Sequence, residues 1–186
     1  MTTQFQPVLT IADLDCTPDD GNKYELIEGE IYMSRAPSLT HQITLQNFLM
    51  SLGSYVTENP IGIVVPGPGV IFDDFNGVIS DIVFFSNERR AEIASGDRLN
   101  GAPDLVIEII SPGTENERRD RVLKRRLYGR FGVKEYWLVD LINRSVEVCA
   151  LGKDGLELKA SYSGDDELTS SLLPGFRAML TELFKL

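Results

Sequence analysis

Two short apolar runs, each broken by one carboxylate, constrain this chain more than any other feature. They are Val78-Ile79-Ser80-Asp81-Ile82-Val83-Phe84-Phe85 and Leu105-Val106-Ile107-Glu108-Ile109-Ile110. A strand with one wet face alternates apolar and polar residues. These runs do not, so they predict central strands covered on both sides. Residues 118–131 follow with Val122, Leu123, Leu127, Tyr128 and Phe131 on one side of a predicted helix, Asp120 near its start and Gly132 just past its end. Tyr136-Trp137-Leu138-Val139 is then another apolar strand. A strand, helix, strand succession normally makes parallel neighbours with a right-handed crossover, so residues 105–110 and 136–139 are expected side by side. The fold class is α/β.

The flanking segments complete one domain, 1–186. Residues 39–56 carry Ile43, Phe48, Leu49, Leu52, Tyr55 and Val56 near one helical stripe, ended by Glu58-Asn59-Pro60. Residues 24–33 read as an N-terminal hairpin in which Gly29 supplies positive φ at a Glu28-Gly29 turn. A strand region is expected over 61–72, interrupted by Pro66-Gly67-Pro68-Gly69, with helical turns near 10–14 and 88–94. Pro112-Gly113 closes the strand that ends at Ile110. Residues 145–150 and 156–162 read as a C-terminal β-meander, and 180–186 as a closing helix. The core order is helix, three strands, helix, strand. A length of 186 residues with 42% hydrophobic content suits a single core, without internal repeat or linker. No run approaches the ~18 consecutive apolar residues of a membrane span, and residues 1–7 lack a charged-then-apolar leader pattern. The expectation is a cytoplasmic, soluble domain without a membrane partner.

Cys16 and Cys149 have no metal-ligand or redox spacing and are expected as reduced thiols. With one histidine in the chain, any metal must be held mainly by oxygen, which favours magnesium or manganese. The formal charge of -10 opposes nucleic-acid binding, yet Arg118, Arg119, Arg121, Lys124, Arg125, Arg126, Arg130 and Lys134 cluster with Asp120 as the only acid among them. That stripe is either a solvated helix face or a DNA contact surface, with Arg118, Arg119, Arg121, Arg125 and Arg126 as the contacts.

Asp81 and Glu108 stand where folding alone would not put them. An unpaired buried carboxylate costs several kcal/mol, so such residues normally pair with a base or bind a metal. Period-two geometry lets both project from one sheet face toward a common ion. Asp104 competes for this role, but it lies four positions from Glu108, about 13 Å at roughly 3.3 Å per residue, and reads better as a strand-entry residue. Lys124 borders the apolar helix face. It is either a snorkelling surface lysine or a group that positions or deprotonates the attacking water and offsets charge on a scissile phosphate. His41, behind Ser38 and Thr40, reads as a cap or packing residue with proton transfer as the alternative. Glu30 is an accessory candidate beside the hairpin turn.

Several segments carry a resemblance: residues 24–30, His41-Gln42, Ser80-Asp81-Ile82-Val83-Phe84, Ala102-Pro103-Asp104 through Glu108 to Ser111-Pro112, and Lys124 through Tyr128 to Tyr136-Trp137-Leu138-Val139-Asp140. On these motifs the chain resembles the Uma-type restriction endonuclease family of the PD-(D/E)XK nuclease-like superfamily, from about Tyr24 to Phe176. The resemblance implies a restriction-endonuclease-like core (αβββαβ, a mixed central sheet flanked by helices), magnesium-dependent DNA cleavage and a homodimer. It assigns Asp81 and Glu108 as the metal acids and Lys124 as a lysine relocated to the adjacent helix. Ser80 stands where the motif has proline, and Ile110 where it has lysine. Three functions follow as expectations: a metal-dependent DNA endonuclease; a catalytically inactive nuclease fold that binds DNA or protein; and a phosphodiesterase acting on a small nucleotide.

Overall fold

The computed structural model describes residues 8–111 and 113–186. In chain order the elements are α1 (Ile11–Leu14), β1 (Lys23–Ile27), β2 (Glu30–Ser34), α2 (Leu39–Glu58), β3 (Gly62–Pro66), β4 (Gly69–Asp73), β5 (Asn76–Ile79), β6 (Ile82–Ser86), α3 (Asn87–Ile93), β7 (Ala94–Ser95), β8 (Arg98–Asn100) and β9 (Leu105–Ile110). Then come α4 (Thr114–Arg118), a π-helix (Arg119–Lys124), α5 (Arg125–Phe131), β10 (Glu135–Asp140), β11 (Ser145–Gly152), β12 (Gly155–Ser163), β13 (Glu167–Thr169), β14 (Arg177–Met179) and α6 (Leu180–Leu183).

The central sheet runs β12-β11-β10-β9-β6-β3, a second sheet runs β2-β1-β5-β4-β8-β7, and β13 pairs with β14. β9 and β10 are parallel neighbours, Glu108 opposite Leu138, with the helical segment between them in sequence. Alternate residues of β9 serve different layers. Val106 and Ile110 pack with Leu127, Tyr128 and Tyr136 toward the helix and second sheet. Leu105, Ile107 and Ile109 pack with Phe48, Leu52 and Trp137 toward α2 and the C-terminal elements. By the period of two, Glu108 belongs to the first of these faces.

Two sequence expectations need correction. Residues 61–72, expected with an interruption, and residues 78–85, expected as one strand, are each divided between the two sheets: β3 pairs with β6 in the central sheet, and β4 with β5 in the second. The breaks fall at Pro66-Gly67-Pro68-Gly69 and at Ser80-Asp81, and Gly67 N donates to Asp81 O at 2.9 Å, tying the two crossings together. The apolar run hid this change of sheet because both halves are buried. Second, residues 118–131 are not one regular helix. The π-helix inserts there, and Val122, expected inside, is 55% exposed.

At the hairpin both Glu28 (φ 53) and Gly29 (φ 77) take positive φ, the geometry of a type I′ turn. Ser38 caps α2 by accepting from His41 N at 3.2 Å. The strand-closing role expected of Pro112 lies outside the described residues, as do residues 1–7. No helix among the described residues is long and apolar enough to cross a membrane.

Candidate active site

Asp81 sits at the crossing from β5 to β6, Glu108 in the middle of β9, and Lys124 at the end of the π-helix. All three line one cavity of about 40 Å³, together with His41, Glu25 and Asp120. Asp81 Oδ2 accepts from Ile109 N at 2.9 Å and lies 3.3 Å from His41 Nε2. Lys23 Nζ is 3.9 Å from Asp81 Oδ1. Glu108 Oε1 accepts from Tyr128 Oη at 2.6 Å and from Lys124 Nζ at 3.1 Å. Lys124 Nζ also lies 2.8 Å from Glu25 Oε1 and 3.8 Å from Asp120 Oδ1.

The π-helix explains how one helix edge delivers so much charge inward. Its i→i+5 bonding brings Lys124 nearly above Arg119, with Asp120 beside them. All three are buried. Arg119 Nε donates to Asp120 Oδ1 at 3.1 Å and lies 3.7 Å from Glu25 Oε2. Four carboxylates (Glu25, Asp81, Glu108, Asp120) thus share a buried cluster with two strong cations, Lys124 and Arg119, and half-exposed Lys23 lies beside Asp81.

The titration behaviour follows. Burial pushes the Glu108 carboxyl up to about 8, with Lys124 pulling the other way and Asp81, Asp120 and Glu25 adding to the rise. Burial likewise raises Asp120 against the pull of Lys124 and Arg119. For Lys124 burial works to lower the ammonium, but Glu108, Glu25 and Asp120 outweigh it and hold the group protonated well above its ordinary range. Burial works to raise Asp81, but His41, the Ile109 amide and Lys124 outweigh it and leave it lowered.

A family profile, Uma2, described as "Putative restriction endonuclease", matches residues 11–181. The chain belongs to the Uma2 family. A crystal structure described as that of "a putative nuclease belonging to DUF820", from Anabaena variabilis ATCC 29413, superposes with a TM-score of 0.77 at 21% identity, covering 95% of this chain and 97% of that one. At that identity it shows a shared fold. No curated protein matches the chain.

Within this Uma2 protein the residues singled out from the sequence divide clearly. Asp81, Glu108, Lys124 and His41 converge on the cavity. Glu30 does not: it is exposed on β2 and accepts from Tyr32 Oη at 2.9 Å. Arg119, expected on the DNA-facing stripe, is turned inward by the π-helix. The remaining stripe is largely engaged. Arg121 pairs with Asp140 and Glu147, each at 2.8 Å, Arg125 donates twice to Leu156 O, and Arg126 pairs with Glu28. Arg118 is exposed. Asp104 is buried as a strand-entry clamp, accepting from Ser86 N at 2.7 Å and facing Lys134 Nζ at 2.7 Å.

Sequence reasoning missed Glu25, Asp120 and Tyr128. Glu25 carries a signal like that of Asp81 and Glu108, a carboxylate among apolar strand residues. By position alone Asp120 reads as an N-terminal helix charge and Tyr128 as core.

Among the described residues no three His, Cys, Asp or Glu side chains form a ligand set. Asp81 and Glu108 offer two carboxylates on one cavity, and the Tyr128 and Lys124 hydrogen bonds to Glu108 both fall on Oε1. Magnesium suits such a pair, since it keeps several waters and takes one or two carboxylates plus substrate phosphate.

Proposed function

We propose that this Uma2 protein is a magnesium- or manganese-dependent DNA endonuclease hydrolysing phosphodiester bonds at Asp81, Glu108 and Lys124. The observation that carries the reading is the meeting of these three side chains, from the crossing between the sheets, a central strand and the π-helix, around one small acid-rich cavity. Family membership supports the nuclease class. Asp81 and Glu108 would hold the cation, which supplies Lewis acidity to the scissile phosphate.

The chain's own groups have distinct parts. Tyr128 and Lys124 fix Glu108 through Oε1, leaving its other oxygen for a further partner. His41 and the Ile109 amide orient Asp81. Because its acidic neighbours hold Lys124 protonated, it serves as a fixed positive charge for the phosphate rather than as a base toward water. Exposed Arg118 would contact flanking backbone most directly, and Arg121, Arg125 and Arg126 would add less, because each must first give up an internal partner. A homodimer, proposed from the resemblance, would offer one site to each strand of a duplex; sedimentation velocity tests it.

Plasmid nicking tests the core of the proposal. Asp81→Ala and Glu108→Ala are expected to remove magnesium-dependent nicking, and Lys124→Met to lower turnover about 10²–10³-fold with a smaller loss in DNA affinity. Undiminished nicking by the alanine variants would defeat the assignment. A second reading, a catalytically silent module binding DNA or protein, is favoured by Ile110 at the motif's lysine position and by the charge of -10. Metal-independent binding without cleavage would establish it, and a substrate panel separates both from a small-nucleotide phosphodiesterase.

A further inference from the structure

The acidic cavity adjoins a cleft of about 380 Å³, and the two share Ser34, Arg35, Pro37, His41, Ser111 and Arg119 as lining. We propose that Arg35 binds the phosphodiester that enters this cleft, an anion site apart from the arginine stripe on the helix; the inference rests on the nuclease reading above.

Charge availability carries the argument. A guanidinium already matched to a carboxylate gains little from a phosphate, because the new contact replaces an old one. That describes Arg119 with Asp120 and Glu25, Arg121 with Asp140 and Glu147, Arg126 with Glu28, and Arg130 with Asp73 at 3.7 Å. Arg35 is exposed, lines both the cavity and the cleft, and makes no ion pair among the described residues. Phosphate therefore meets no internal competitor there.

Position and rigidity agree. Arg35 directly follows β2, and Pro37 and the capping residue Ser38 follow it, so the short segment is fixed at both ends. Carboxylates at the cavity floor repel an incoming phosphate, and a cation at the mouth offsets that repulsion where the strand must pass. The planar guanidinium can take two phosphate oxygens at once. The cleft is near the lower end of the ~300–1,000 Å³ usual for ligand sites, a size for one nucleotide unit of a strand rather than a duplex.

The test uses the full chain, short fluorescent single- and double-stranded oligonucleotides with calcium for binding, and plasmid nicking with magnesium for turnover. Arg35→Ala is expected to raise Kd and KM about tenfold, leave kcat within about twofold, and reduce the slope of log K against log salt by about one. Arg35→Lys should recover part of the affinity, since it keeps the charge and loses the paired donors. Arg126→Ala should weaken binding less than Arg35→Ala. If Arg35→Ala matches the wild type in Kd, KM and salt slope while the wild type still nicks DNA, this inference falls and the nuclease reading stands. A wild type that neither binds nor cuts any substrate in the panel overturns both.

Discussion

Glu108 is a buried acid, and under the proposed function its proton and a divalent ion would compete for the same oxygens. Burial raises its carboxyl from an ordinary value near 4.5 to about 8, so between those values the folded protein keeps a proton that the unfolded chain releases. The contribution to stability is complete below the lower value and disappears as pH rises through the upper one. In metal-free protein the urea midpoint should therefore fall from about pH 5 to about pH 8.5, and Glu108→Gln should flatten that fall. A wild-type midpoint that climbs steadily across this window would contradict the assignment. Asp81 has the opposite sign: its lowered carboxyl stabilises the fold above its ordinary value and loses that contribution only in acid. The two acids thus act in separate pH windows.

The π-helix is the element that builds the charged cluster. It shifts the face of the chain between α4 and α5 by one residue, turning Arg119, Asp120 and Lys124 inward and Val122 outward. Leu127 and Tyr128 anchor α5 in the core, so removing one residue from the π segment should rotate its N-terminal part rather than α5. Deleting exposed Val122 is expected to restore regular α geometry, swing Arg119 and Asp120 away from Glu25, and eliminate magnesium-dependent nicking while circular dichroism still reports a folded protein. Full activity in the deletion variant would show that the inserted turn is dispensable.

At the scale of the molecule, the second sheet closes over the helix-facing side of the central sheet and brings Glu25 to a cluster whose other acids lie far along the chain. A cation bound only by the folded arrangement stabilises it by mass action, about 2.7 kcal/mol at a hundred times Kd, which is worth several degrees in Tm for a domain of this size. Magnesium should raise Tm in the wild type, more at pH 8 than at pH 6 because ligand oxygens must be free of protons. It should not do so in the Asp81→Ala, Glu108→Ala double variant, and an equal rise there would place the ion elsewhere. The sequence by itself determined the α/β class, the parallel pairing of β9 and β10, and the unusual status of Asp81 and Glu108. Those follow from periodicity and from the cost of burying a carboxylate, both of which are local. Only the tertiary structure decided that Asp81 lies at a change of sheet, that Arg119 leaves the surface, and that Glu25, Asp120 and Tyr128 complete the cluster. A break between two buried half-strands and a one-residue helical insertion leave hydrophobicity almost unchanged while redirecting side chains, and a buried charge acquires its partners from segments that meet only when the chain has folded.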